Sequence, residues 1–277
     1  MTKRCVITGP TSGIGLATAE ALACEMNLVL VCRNAQKGEE LKNRLLAKGN
    51  EVDLVVCDLS SLQQVSLAGE LIARRYPVID VLINNAGLIN TSRELSVDGY
   101  EMMLATNHFG PFLLSSRLLS SLRASPAARI INVASAAHAF VRGIQFDDMN
   151  YEKGFSVFKT YGHSKLCNIL HVKELTHRLE DTNIVVNSLH PGAVSTNLGT
   201  QNGWFGKAIF AVLRPFFRTV EKGAASSIWL ALSEEGGQLN GEYIVDCKVR
   251  QPKLWATDAK TANELWSYTE KAIEPYI

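Results

Sequence analysis

No two of the six cysteines in this 277-residue sequence are spaced C-x-x-C, which excludes a zinc ribbon and a redox dithiol. No charge of one sign dominates. The 28 basic residues meet 27 acidic ones for a formal net charge of +1, so there is neither a basic footprint for nucleic acid nor an acidic tail. Histidines and acids nowhere fall into metal-ligand spacing, and no metal is expected. Long apolar runs are missing as well. The most apolar stretch, Trp204 to Phe217, is interrupted by Lys207 and Arg214 and is too short and too charged to span a bilayer. The start, Met1-Thr2-Lys3-Arg4, leads directly into Cys5-Val6-Ile7; no signal peptide and no upstream anchor are expected, and hence a cytoplasmic protein. Internal repeats, low-complexity tracts and linkers are also missing, so one domain over 1–277 is expected.

What is present is ordinary globular material, 47% hydrophobic and 20% charged. A chain of this length buries enough surface to need no staples. Cys5, Cys32 and Cys57 lie in apolar runs, where a thiol behaves as a small buried hydrophobe, and a reducing compartment fits them.

Short apolar, β-branched runs alternate with helix-period segments. Strands are expected at Arg4–Thr8, Asn27–Cys32, Val52–Cys57, Val78–Ile83, Arg129–Ala134, Ile184–Leu189 and Tyr243–Asp246. They are mostly apolar throughout rather than alternating, as in a parallel sheet covered on both faces. Helices are expected to begin near Gly13, Lys37, Leu62, Gly110, Tyr161 and Val220. The repeated β-α-β order predicts a single-domain α/β fold: a Rossmann-type doubly wound parallel sheet of about seven strands with helices on both faces.

The first expected strand ends at Thr8-Gly9 and is followed by Pro10-Thr11-Ser12-Gly13-Ile14-Gly15 and a helical pattern. The G-x-x-x-G-x-G spacing follows the logic of a dinucleotide loop. Gly9 permits a tight turn, Gly13 lets backbone approach a pyrophosphate, and Gly15 allows close helix–strand packing. The helix start adds oriented N–H groups and partial positive charge. An ordinary αβ turn is the bland alternative. The second strand then selects the cofactor. An acid that would bind the ribose hydroxyls is missing between Glu25 and Glu39, and Arg33 stands where the extra phosphate of NADP would meet it. NADP(H) is expected over NAD(H).

Tyr161-Gly162-His163-Ser164-Lys165 sits at the start of an apolar-faced helix, so Tyr161 and Lys165, four apart, share a face. An unperturbed tyrosine titrates near 10; poising one near neutrality takes roughly 3 units, or about 4 kcal/mol. A nearby ammonium and a positively charged nicotinamide are the charges that would supply it. The pair alone would read as an amphipathic helix with a half-buried tyrosine. It does not stand alone. Ser135 ends the strand at Arg129–Ala134, and Asn84-Asn85-Ala86-Gly87 ends the one before it, both at the carboxyl ends where open α/β sheets bind ligands.

At this point the chain resembles the short-chain dehydrogenase/reductase family. The matching blocks are Thr8-Gly9 with Gly13-Ile14-Gly15, Cys57-Asp58-Leu59, Asn84-Asn85-Ala86-Gly87, Asn107, Ser135, Tyr161 with Lys165, and Pro191-Gly192, in family order across nearly the whole chain. The resemblance implies that Tyr161 is the general acid in reduction and the base in oxidation. It implies that Lys165 lowers the tyrosine pKa and holds the nicotinamide ribose, that Ser135 binds the substrate oxygen, and that Asn107 positions a water leading from Lys165 to solvent. Asp58 and Leu59 would lie at the adenine, Asn85, Ala86 and Gly87 beside the cofactor, Thr11 and Ser12 in its phosphate loop, and Pro191-Gly192 through Thr196 at the nicotinamide amide. Caps and turn bonds are the structural alternative, above all for Asp58 and Asn84.

A narrower likeness, carried by Cys32-Arg33-Asn34, Gln145 to Asn150, Tyr161 to Asn168 and Gly241-Glu242-Tyr243 with Asp246-Cys247, is to the retinol dehydrogenase and WW-domain oxidoreductase branch. It implies a lipophilic alcohol, aldehyde or ketone, retinoid-like or steroid-like, as substrate. Residues 200–220 would form a substrate lid, with a core-facing helix and a peripheral membrane or dimer contact as its rival readings. Phe140, Phe146, Tyr151, Phe155 and Phe158 would wall an apolar pocket or simply pack a loop. His138 and His163 are expected to pack rather than to catalyse. A carbonyl reductase is thus expected. A non-catalytic NADP-binding regulatory or scaffold protein and a double-bond reductase on the same fold are the alternatives.

Overall fold

A computed structural model describes residues 2–194 and 218–277. Eight strands form one sheet: β1 (Arg4–Thr8), β2 (Asn27–Cys32), β3 (Val52–Val56), β4 (Val81–Asn84), β5 (Ala128–Val133), β6 (Ile184–His190), β7 (Tyr243–Val245) and β8 (Lys248–Arg250). Their order is β3-β2-β1-β4-β5-β6-β7-β8, every neighbouring pair parallel except β7–β8. β1, β2, β4 and β5 carry apolar residues towards both sides of the sheet because both faces are covered. Cys5 and Ile7 of β1 belong to a core with α1 (Gly13–Leu22) and α7 (Val220–Leu232). Val6, between them, points into the opposite core with α3 (Leu62–Arg75), α5 (Gly110–Arg123) and α6 (Val157–Arg178). α2 (Ala35–Leu46) begins where Asn34 caps the Lys37 N–H at 2.9 Å.

Three departures from the sequence expectation have physical reasons. β8 is an eighth, antiparallel strand of three exposed residues. Its hairpin turn, Asp246-Cys247, takes positive φ at both positions (53° and 56°) without glycine or asparagine, so the usual turn signal is missing. α6 opens at Val157 rather than Tyr161. Val157 and Phe158 are weak helix formers, which hides the first turn from the sequence; the Thr160 N–H closes that turn on the Ser156 carbonyl at 2.8 Å. The helix expected at Gly110 begins with α4 (Met102–Leu104) and runs through a π-helical turn, Ala105–Phe109, into α5. Pro111 brings no N–H to the ladder, and the wider turn absorbs the break. Two further helices follow α7: α8 (Glu234–Gln238) and α9 (Ala259–Ile273). In α9, which packs on α6, Asp258 accepts the Thr261 N–H at 2.8 Å.

The order of strands reverses between β1 and β4, which opens a crevice beyond their carboxyl ends. The ends of β2, β3, β5 and β6 face the same rim.

Candidate active site

The loop after β1 is built on absent side chains. Gly9 and Gly13 take φ of 66° and 54°, in the left-handed region. A Cβ on Gly15 would lie 2.2 Å from the Gly9 carbonyl and 2.4 Å from the Asn85 amide, so α1 can approach the strand ends only there. Ser12 precedes α1 in extended backbone and does not cap it, and the first turn has no acid. The N–H groups of that turn, with Thr11, Ser12 and Ile14 around them, are therefore left for an anion from outside the chain.

The end of β4 is bolted to the end of β1. The Thr8 hydroxyl accepts the N–H groups of Asn85 and Ala86, both at 3.0 Å, and the Asn85 amide donates to the carbonyls of Thr8 (2.9 Å) and Gly9 (3.2 Å). Asn85 thus braces the loop on which a cofactor would lie. Thr8 is a member of this site that the sequence motif contained without assigning it a role. Asn84 points away, donating to Ser115 and Asn132 in a buried polar chain.

Asn107 sits within the π-helical turn and is fully buried. Its Oδ1 accepts the Leu88 N–H at 2.8 Å, and its amide donates to the Leu88 carbonyl (3.0 Å) and to Ser164 Oγ (2.9 Å), which in turn donates to the Tyr161 carbonyl. Ser164, unassigned from the sequence, joins Asn107 to the tyrosine backbone. Gly87 lies between. A Cβ there would fall 3.2 Å from Lys165 Nζ and 3.3 Å from Asn107 Oδ1, so its bareness leaves space at the lysine head.

Ser135 follows β5 and starts a 3-10 turn, Ala136–Phe140, by accepting the Ala137 N–H at 3.1 Å. The same hydroxyl neighbours the Tyr161 phenol and pulls its pKa down; burial outweighs it and pushes the phenol up to about 12. Lys165 Nζ lies 5.8 Å from the centre of the tyrosine ring and donates to the Val133 carbonyl at 2.8 Å, a carbonyl that Asn168 shares at 3.5 Å. Burial pulls the Lys165 ammonium down to about 8. Ser135, Tyr161, Lys165 and Asn107 therefore meet at one place beside the crevice. The tyrosine is not poised near neutrality by the protein alone, because desolvation disfavours phenolate more than Ser135 favours it.

Around the rim, Arg33 is exposed immediately after β2, and Leu59 is buried, its carbonyl pressed against Gly110 of α5. One Asp58 oxygen accepts both the N–H and the hydroxyl of Ser60, the turn bond expected as its structural alternative. Pro191 and Gly192 follow β6. Gly192 has φ of 85°, and Arg218 packs where its Cβ would be, held by an ion pair to Asp246. Val194 and Arg218 form a parallel bridge. Thr196 and the candidate lid up to Phe217 lie outside the described residues. Of the aromatic residues between Ser135 and Tyr161, Tyr151 is buried against His163, Phe146 and Phe155 are half-buried, and Phe140 and Phe158 are exposed. Burial pushes the thiols of Cys5, Cys32 and Cys57 up, as the apolar runs imply.

The histidines are braces. His138 holds the Ser135 carbonyl at 2.7 Å and accepts the Lys253 N–H at 3.2 Å, His190 accepts the Ala136 N–H at 3.1 Å, and His163 accepts the Gln145 N–H at 3.2 Å. Each ring needs a bare nitrogen, so each is neutral. Burial pulls His163 and His190 down to about 4 and His171 down to about 3. Below the ordinary 6.5 the unfolded chain binds protons that the native one refuses. The stabilisation is therefore complete above 6.5 and is lost as pH falls towards about 4. At pH 5 the loss is roughly 2 kcal/mol for each such histidine. Thermal unfolding should show Tm falling steeply from pH 7 to pH 5; a flat Tm over that range would contradict the assignment of neutral braces.

The crevice fits a dinucleotide: an uncapped helix start, glycines where backbone must come close, and polar strand ends on one rim. Among the described residues no group of three His, Cys, Asp or Glu is placed to hold a metal, and no helix is long and apolar enough to cross a membrane.

Residues 3–203 match the family model described as short chain dehydrogenase. The chain is 36% identical to "Short-chain dehydrogenase TIC 32 A, chloroplastic" of Brassica napus, over 97% of this chain and 88% of that one. It is 37% identical to "Retinol dehydrogenase 14" of Homo sapiens, over 97% and 85% respectively. The crystal structure of an uncharacterized protein from Mycobacterium paratuberculosis superposes with a TM-score of 0.77 at 29% identity, covering 98% of this chain and 93% of that one.

Proposed function

Because the chain belongs to the short-chain dehydrogenase/reductase family, in its retinol dehydrogenase-like branch, we propose that it is an NADP(H)-dependent oxidoreductase acting on the carbonyl or alcohol group of a lipophilic substrate. The observation that carries this reading is the Tyr161–Lys165 pair, with Lys165 Nζ 5.8 Å from the tyrosine ring centre and Ser135 beside the phenol, at the carboxyl ends of the strands where the crevice opens.

Hydride donation or acceptance is what a nicotinamide supplies when bound. The chain's own residues handle the proton and the charge. Tyr161 delivers its phenolic proton to the carbonyl oxygen, and Ser135 donates a hydrogen bond to that oxygen as negative charge develops. A phenol held near 12 is fully protonated at neutral pH and so carries the proton that reduction consumes, but it is a weak acid until nearby positive charge brings it down. Lys165, with its ammonium at about 8, is charged at pH 7 and attracts the proton-depleted phenol. Asn107 and Ser164 hold the loop at Gly87–Leu88 and the first turns of α6 in mutual register, the positioning on which such proton transfer depends.

NADP over NAD rests on Arg33, exposed at the end of β2 in a stretch without acids. The retinol dehydrogenases among the relatives support a lipophilic substrate. Peripheral contact with a membrane is consistent with such a substrate. The test is NADPH absorbance with a panel of lipophilic aldehydes, repeated with NADH. Turnover is expected with NADPH; cofactor binding without turnover of any aldehyde would favour a scaffold role instead. Arg33→Asp should shift the kcat/KM ratio for NADPH over NADH towards NADH by about tenfold to a hundredfold, the range of one charge-assisted phosphate contact. An unchanged ratio would remove Arg33 from the phosphate site.

A further inference from the structure

Tyr243 of β7 is 6% exposed, yet its phenol oxygen forms no hydrogen bond among the described residues. A buried hydroxyl ordinarily has a partner. This one is not sealed in, because Tyr243 lines a cavity of about 300 Å³ beside the β8 edge of the sheet. Ser188 of β6, Tyr243 and Arg250 of β8 are cross-strand partners in register, so their side chains stand in one row on one face, at strand spacings of about 4.8 Å. Ile169 and Lys173, one turn apart on α6, close the cavity over that row.

The cavity is not part of the crevice. Lys173 follows Lys165 by eight residues, which carries it about 12 Å further along α6. The roof is tethered. The Lys253 N–H donates to His138 at 3.2 Å, the His138 ring meets Tyr243 edge to face with centres 5.4 Å apart, and the Ala256 N–H closes a turn on the Lys253 carbonyl at 2.8 Å. The walls therefore stand in place before any ligand arrives. Their charges are unbalanced. Lys173 and Arg250 are exposed, and neither side chain has an ion pair or a hydrogen bond among the described residues. Asp246, the acid of the β7–β8 turn, is engaged by Arg218. One carboxylate, Glu242, lines the cavity against these two cations, which leaves a net charge of +1. Ile169, Pro252 and Ala256 supply apolar surface beside them. Burial pushes the pKa of Tyr243 up, so its hydroxyl stays a hydrogen-bond donor.

We propose that this cavity is a second binding site, and that it takes a compact monocarboxylate with an apolar body. Lys173 and Arg250 hold the carboxylate through charge-assisted hydrogen bonds, and the Tyr243 hydroxyl donates a third. A single negative charge matches the net lining; a second one would meet Glu242. The body of the ligand lies against Ile169, Pro252 and Ala256. A volume of about 300 Å³ stands at the small end of ligand pockets, which favours a molecule of about one ring. The site is independent of the oxidoreductase reading, since it shares no residue with the crevice.

The test is calorimetric titration of benzoate into the full chain at low salt, with and without saturating NADPH. Benzamide serves as the neutral isostere and inorganic phosphate as the rival anion. One benzoate per chain is expected, with the same affinity in the presence and absence of NADPH. Benzamide should bind about tenfold more weakly or worse. Lys173→Ala combined with Arg250→Ala should weaken benzoate by about tenfold or more, the range of a hydrogen bond to a charged group. Tyr243→Phe removes one oxygen and keeps the ring, and should weaken benzoate about threefold to tenfold. Melting curves establish that each variant is folded; Lys173 and Arg250 are exposed, so their replacement spares the core. Failure of benzoate to bind at millimolar concentration, or equal affinity in the double variant, overturns the site. Loss of benzoate binding on adding NADPH moves the ligand to the crevice and overturns it as well. Benzamide binding as tightly as benzoate, or phosphate binding more tightly, overturns the ligand class.

Discussion

Tyr161→Phe is expected to lower kcat for carbonyl reduction by about a thousandfold, within the range that a positioned proton donor contributes. The substitution removes one oxygen and keeps the ring, so packing is spared. Ser135 keeps the Ala137 N–H, and the turn it starts should persist. NADPH should still bind, because the loop after β1 and the Asn85 brace do not involve the phenol. The measurement is steady-state turnover with a lipophilic aldehyde, alongside NADPH fluorescence for binding and a Tm for folding. Turnover within tenfold of wild type would remove Tyr161 from the role of acid. Loss of NADPH binding instead would assign it to the cofactor.

The second large effect is predicted at Gly15. An alanine there places a Cβ 2.2 Å from the Gly9 carbonyl and 2.4 Å from the Asn85 amide, both far inside contact distance. The carbonyl belongs to backbone and the amide is held by two hydrogen bonds, so neither yields cheaply. Either α1 retreats from the sheet or the Asn85 bonds break. Overpacking of this kind costs about 1–3 kcal/mol, and a buried amide left without its partners adds about 1–3 kcal/mol more. Gly15→Ala should lower Tm by several degrees and weaken NADPH at least a hundredfold, since the N–H groups of α1 no longer converge. Gly143→Ala is the control, because a Cβ at Gly143 meets nothing within 4 Å. Equal NADPH affinity in the Gly15 variant would mean that the helix start is not where the phosphates bind.

Much of this architecture was legible in the sequence, and the legible parts share a cause. β1 and β2 were readable to the residue because buried parallel strands must be apolar throughout. The glycine loop was readable because each glycine answers a separate steric demand. Tyr161 and Lys165 were readable as a pair from spacing alone. What stayed hidden depends on tertiary partners. Nothing local marks Thr8 as the hydroxyl that joins β1 to the end of β4, since its two bonds go to residues more than seventy positions away. The turn before β8 lacked any signal because its left-handed residues are aspartate and cysteine, held by Arg218 and Ser226. The histidines show the same limit. Their neutral state follows from burial and from backbone N–H groups that only the folded chain brings to them.

The π-helical turn at Ala105–Phe109 acts as a phase shift. It places one extra residue in a single turn, so the stretch beginning at Met102 and the stretch ending at Arg123 are offset by about a hundred degrees of rotation relative to an unbroken helix. That offset lets one continuous rod aim Asn107 at the surroundings of Lys165 while Leu113, Leu114 and Leu118 still face the core. Gain or loss of a single residue in this turn would swing Asn107 through the same angle relative to α5 and carry its amide away from Leu88 and Ser164.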